Sequence, residues 1–174
     1  MEPTRATIAS NLLATLEARL AERPEATFYD LGAELGIPEE HVLRALEGGR
    51  IRRATPGDPE RLVEDLKSWG RVRVVIRNRA AVAELLTTLG GTTRRGPWWN
   101  LHADDFEMHV NLEAVAAVYF IEKPGHKGRA TYSVQAFDDA GASIFKVFLT
   151  RAADGNFTTE TLERWRVTLA AHCS

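Results

Sequence analysis

Residues 98–149 read WWNLHADDFEMHVNLEAVAAVYFIEKPGHKGRATYSVQAFDDAGASIFKVFL, and this run decides the fold. Short apolar and β-branched stretches recur in it, each closed by turn residues. They predict strands over Trp98–His102, Glu107–Asn111, Val115–Glu122, Ala130–Phe137 and Ser143–Leu149. The separators Gly125–Gly128 and Asp138–Gly141 have turn chemistry. Strand after strand on short links implies an antiparallel sheet.

The pattern extends upstream. Val72, Val74 and Ile76 alternate with Arg71, Arg73, Val75 and Arg77, as in a half-buried strand. Residues 80–89 fit strand or helix. Before residue 70 the period is helical. Ile8, Leu12, Leu13, Leu16 and Leu20 predict a helix over 7–22, with Thr7 or Ser10 as cap and Pro24 as stop. A second helix runs from Phe28 to Leu35 and ends at Gly36. A third starts with Pro38 in its first turn and runs through Val42, Leu43 and Leu46 to Gly48-Gly49. After a turn at 55–59, a fourth carries Leu62, Val63, Leu66 and Trp69. A closing helix spans about Thr158 to Ala171, capped by Thr158 or Thr159. The expected class is α+β: a helical lobe over 1–69, then an antiparallel β-sheet domain with a C-terminal helix over 70–174.

Composition narrows the function classes. The 174 residues are 44% hydrophobic and 26% charged, enough for an ordinary core. The formal net charge of -2 provides no global positive field for nucleic acid or anionic lipid. Cys173 is the single cysteine, which excludes an intramolecular disulfide and any multi-cysteine metal site. Arg5, Glu17 and Arg19 interrupt any signal-peptide-like run, and no uncharged stretch has the length of a membrane span. A cytoplasmic setting without membrane contact is expected.

The segment Phe28–Leu46 has the outline of a helix-turn-helix, with Gly36 at the turn and a small core of Leu31, Leu35, Ile37, Val42 and Leu46. DNA binding fits poorly. The would-be recognition helix opens with Pro38, Glu39 and Glu40, whose carboxylates would face phosphates. Only Arg44, Arg50, Arg52 and Arg53 support it. The simpler reading is a helix pair packed on the sheet domain.

Among the histidines, His41 reads as solvated, His126 as part of a polar hairpin turn and His172 as part of a fraying tail. His102 and His109 differ. They lie on adjacent short strands near Trp98, Trp99, Phe106 and Met108, with an Asp104-Asp105 turn between them. Imidazole amid aromatic rings and a thioether suits a flat apolar cofactor with an iron centre. Zinc held by His102, His109 and Asp104 or Asp105 is one alternative. Another is a plain core with one histidine buried and hydrogen-bonded. Alternation alone does not fix which face each histidine takes. Hydrolase and phosphate-loop signatures are absent.

Several runs resemble the intracellular haem-utilisation carriers of the HutX/HuvX/ChuX type. They are Gly96-Pro-Trp-Trp-Asn-Leu-His102, Met108-His-Val110, Val118-Tyr-Phe-Ile-Glu-Lys-Pro124, Tyr132-Ser-Val-Gln-Ala-Phe-Asp-Asp-Ala-Gly141 and Ile144-Phe-Lys-Val-Phe-Leu-Thr-Arg151. That family shows Gly-Tyr-Phe-Asn-Leu, Gly-His-Ile, Lys/Arg-Pro and Phe-Lys-Val/Ile-Phe in the same order. The two-repeat HemS/HmuS haem-utilisation proteins share these pieces, and their amino-terminal helices resemble Asp30-Leu-Gly and Leu35-Gly-Ile-Pro-Glu39.

The resemblance implies a split sheet flanked by helices, often paired as a homodimer, that binds haem reversibly in the cytosol for intracellular trafficking and iron acquisition. His109 stands at the family's ligating histidine. Trp98 replaces the family tyrosine, Trp99 the phenylalanine and Met108 the glycine. An indole is no iron ligand, so this chain lacks that phenolate. Met108 and His109 are adjacent on a strand and point to opposite faces, against joint ligation. The expected haem-binding set is therefore His109 as metal ligand, Trp98, Trp99 and Phe106 as wall, Met108 either filling the pocket or offering a soft ligand, and Lys123, Arg151 or Arg73 at the propionates. A haem-receiving protein is an expected partner. Haem degradation occurs in some relatives, but no catalytic residue is legible here. The alternatives are a homologue that has lost haem and serves as a structural or interaction protein, and a DNA-binding regulator.

Overall fold

The computed structural model describes residues 5–57, 59–103 and 106–173. Three helices come first: α1 (Arg5–Glu22), α2 (Phe28–Leu35) and α3 (Glu39–Ala45). A short strand β1 (Ile51–Arg53) precedes α4 (Pro59–Leu66) and a 3-10 turn (Lys67–Trp69). The strands β2 (Arg71–Arg77), β3 (Val82–Thr88), β4 (Gly91–Arg95), β5 (Trp98–Ala103), β6 (Phe106–Asn111), β7 (Ala117–Pro124), β8 (Ala130–Phe137) and β9 (Ser143–Leu149) follow. Helix α5 (Thr159–His172) closes the order. The α+β class holds, and all the pairings are antiparallel.

Local chemistry sets the boundaries. The Thr27 hydroxyl accepts the Asp30 amide at 3.1 Å and caps α2. Gly36 ends α2 in the left-handed region at φ 67°, as the tight turn requires. Thr158 caps α5 in the same way as Thr27. Helix α1 begins at Arg5, so Thr7 and Ser10 lie inside it rather than at its cap. Helix α3 stops at Ala45 instead of reaching Gly48-Gly49, because residues 48–51 form a bridge that leads into β1.

The meander splits into two sheets. One has six strands in the order β1-β7-β8-β9-β2-β3, the other three in the order β4-β5-β6. The larger sheet is covered on both faces. On one, Tyr119, Ile121, Ala117 and Phe137 pack against Leu16, Phe28, Leu31, Val42 and Leu43 of α1–α3. On the other, Val72, Val74, Phe120, Val134, Ala136 and Val147 meet α4, α5 and the inner side of the small sheet. The helix-turn-helix-like pair is thus docked on the sheet. Glu39 and Glu40 are both buried. Glu39 pairs with Lys146, and Glu40 accepts the Tyr119 hydroxyl at 2.7 Å.

His172 is no fraying tail. It ends α5, stacks on Phe120 with centroids 6.3 Å apart and meets Asp65 at 2.8 Å through Nε2. The same helix is tied to the 3-10 turn by the Trp69 Nε1 donor, which reaches the Thr168 hydroxyl at 3.0 Å in a buried position. Thr168→Val leaves that indole N–H without its acceptor. The expected cost is about 1–3 kcal/mol in urea unfolding. A change of a few tenths would mean that the N–H finds another acceptor.

Candidate functional site

Strands β5 and β6 form a hairpin whose register places Trp98 opposite Asn111, Asn100 opposite His109 and His102 opposite Glu107. Paired residues share a face, and alternate residues along a strand share it too. The outer face therefore carries Trp98, Asn100, His102, Glu107, His109 and Asn111. Trp99, Leu101, Met108 and Val110 point inward and are buried. The core draws these inner residues in, so the hairpin must present both histidines on the open side.

The geometry around His109 is specific. Its Nδ1 lies 2.6 Å from Asn100 Oδ1. The Asn100 amide nitrogen donates to the Thr93 carbonyl at 3.2 Å, which orients the side chain with its oxygen toward His109. A carbonyl oxygen only accepts, so this contact assigns the donor role to Nδ1, and among the described residues Nε2 has no hydrogen-bond partner. A histidine ready to ligate a metal has this arrangement, with the second nitrogen held by a polar partner. The His102 ring lies edge-on to His109, with centroids 6.4 Å apart, and its Nδ1 is 3.3 Å from Glu107. Trp98 remains 46% exposed on the same face, a diagonal neighbour of His109. Arg95 of β4 stands opposite Trp98 and is exposed. Sequence reading missed Arg95 because β4 has no buried face to reveal the strand.

The expected haem residues thus fall into separate groups. Trp98 and His109 share the outer face of the small sheet. Trp99 and Met108 are core residues on its inner face, with Phe106 partly buried beside them. They can touch a ligand only by deforming that packing. Lys123, Arg151 and Arg73 line a cavity of about 870 Å³ on the opposite face of the large sheet. The shared core lies between this cavity and His109. One haem cannot meet both groups within a single chain. The Asp104-Asp105 turn, with the zinc reading that used it, lies outside the described residues. Among the described residues, no cluster of three or more His, Cys, Asp or Glu side chains has metal-binding geometry. None of the described helices is long and apolar enough to cross a membrane.

Comparison with known proteins bears on the family and the fold. The profile of the family described as "Haem utilisation ChuX/HutX" matches residues 52–168. The hemin transport protein HmuS of Yersinia pestis is 30% identical over 139 residues, which are 77% of this chain and 39% of HmuS. The chain therefore spans well under half the length of that relative. Among solved structures, the haem-binding protein ChuX superposes with a TM-score of 0.79 at 19% identity, covering 92% of this chain and 97% of that one. The haem-degrading enzyme ChuS of Escherichia coli O157:H7 superposes with a TM-score of 0.80 at 22% identity, covering 95% of this chain and 47% of that one. At such identity these structures establish the fold.

Proposed function

This chain belongs to the ChuX/HutX haem-utilisation family, and on that premise we propose that it binds haem as cargo and carries it within the cytosol to a receiving protein. The observation that carries this reading is the His109 imidazole. It is held by Asn100 with Nε2 free, on an open sheet face beside Trp98. His109 Nε2 ligates the iron. The Trp98 ring lies against the macrocycle, and Arg95 meets a propionate. The indole at 98 cannot replace the family's phenolate, so His109, oriented by Asn100, supplies the ligand in its place. The open face also suits cargo, because a ligand that is not enclosed can be handed on. A homodimer fits the same face, since a second copy would cover the haem's remaining side.

Titration with ferric haem tests the reading. A saturable change in the Soret band is expected, with Trp98→Ala weakening it and His109→Ala removing it or moving it to the position of unligated haem. A family member that has lost haem and acts only in structural contacts would show no saturable change. That result would reject the proposal.

A further inference from the structure

The outer face of the β5–β6 hairpin carries a second histidine that the haem reading leaves idle. His102 faces Glu107 across the hairpin and His109 faces Asn100, so the two histidines are diagonal neighbours on adjacent strands. Diagonal neighbours lie within reach of each other's longer side chains. Here the ring centres are 6.4 Å apart, with the rings edge-on. Both residues are exposed, so packing locks neither ring.

The two imidazoles are held alike. His109 Nδ1 meets Asn100 Oδ1 at 2.6 Å, and His102 Nδ1 meets Glu107 Oε1 at 3.3 Å. An oxygen acceptor assigns the donor role to Nδ1 in both contacts. Among the described residues neither Nε2 has a hydrogen-bond partner. Metal-ligating histidines ordinarily have such an oxygen on the far nitrogen, which fixes the ring and leaves the other nitrogen to the metal. Charge and room agree with this. Glu107 brings a carboxylate to the pair, which offsets part of the charge of a dication. The neighbouring strand β4 sets Gly91 beside His102 and Thr93 beside Asn100, and these small residues leave the space over the pair open. Arg95 stands farther along β4, opposite Trp98.

We propose that His102 and His109 together bind one divalent transition-metal ion through their Nε2 atoms, with solvent completing its coordination. Imidazole ligands suit copper, nickel and zinc, and Cu2+ is held most tightly of these. A metal about 2.1 Å from both nitrogens needs ring centres roughly 5 Å apart, so the exposed rings close by about 1 Å through side-chain rotation. With two protein ligands, the site is of a simpler kind than the clusters of three or more that the described residues lack. The site stands on the hairpin geometry. His109 Nε2 is also the nitrogen assigned to haem iron above, so the two loads exclude each other; that consequence alone rests on the haem reading.

The test is titration of the haem-free full chain with Cu2+ in the presence of glycine, a competitor that keeps isolated surface histidines empty. Circular dichroism confirms the fold of each variant. One equivalent is expected to bind, and electron paramagnetic resonance of the bound Cu2+ should show coupling to two imidazole nitrogens. His102→Ala and His109→Ala each weaken binding at least tenfold, because two ligands on one hairpin act as a chelate. His126→Ala, outside the hairpin, leaves binding unchanged. Absence of saturable binding, coupling to a single nitrogen in the parent, a loss smaller than tenfold in either hairpin variant, or dependence on His126 would each overturn the proposal. Failure of the haem reading is read separately, from the ferric haem titration without Cu2+.

Discussion

Lys146→Met is expected to destabilise the fold by about 3–5 kcal/mol, the cost of removing one partner from a buried ion pair. Lys146 and Glu39 are 6% exposed each, and Lys146 Nζ bonds Glu39 Oε1. Burial pulls the Lys146 pKa down, while Glu39 holds it up. The second carboxylate oxygen, Glu39 Oε2, is buried with no hydrogen-bond partner among the described residues. Without Lys146, the Glu39 carboxylate loses its ion-pair partner at a largely buried position on the cavity wall. A domain of this size has roughly 5–15 kcal/mol in total, so the loss is a large part of it. The double variant Lys146→Met with Glu39→Leu should recover most of it, because two apolar side chains replace two charges. Urea unfolding of the parent, the single and the double variant checks both statements. A single variant within about 1 kcal/mol of the parent would show that Glu39 is hydrated after all. The pair links α3 to β9, so its loss should also raise hydrogen exchange in α3 before the rest of the fold opens.

The second large effect separates neighbouring tryptophans. Trp99 is 1% exposed in the core between the sheets, whereas Trp98 is 46% exposed on the outer face. Trp99→Ala should cost about 3–5 kcal/mol, the usual range for emptying a buried aromatic site. Trp98→Ala should cost less than about 1 kcal/mol, because surface substitutions seldom exceed that. The haem titration should show the reverse order, with Trp98→Ala the more damaging once both proteins are folded. Equal stability of the two variants would mean that the hairpin does not alternate as described.

Much of this fold is legible in the amino-acid sequence. Strands β5 to β9 announce themselves because each has a buried face and a turn at its end. Helix α2 is marked by Gly36, and α5 by Thr158. Strand β1 has three residues, too few for an alternation to appear. Strand β4, Gly-Thr-Thr-Arg-Arg, buries none of its side chains, so hydrophobic pattern has nothing to detect. Strand β3 is an edge strand with Val82 and Leu86 half-exposed, which blurs its period.

The candidate site is legible as residue types, not as a place. His109 is identifiable from its surroundings in the chain, but its face depends on the pairing of Asn100 with His109. Lys123 and Arg151, expected at the propionates, stand beside the Phe28 and Phe157 rings. The crossover between sheets, which no local pattern encodes, puts them on the far side of the core. His172 looks peripheral from its position near residue 174, yet Asp65 and Phe120 hold it in place.

The most direct measurement of the central claim is ligand rescue. His109→Gly is titrated with ferric haem, first alone and then with added imidazole, and the Soret band is compared with the parent complex. If His109 Nε2 holds the iron, the variant alone lacks the parent band and imidazole restores it. A parent-like band in the variant without imidazole would place the ligand elsewhere and contradict the account.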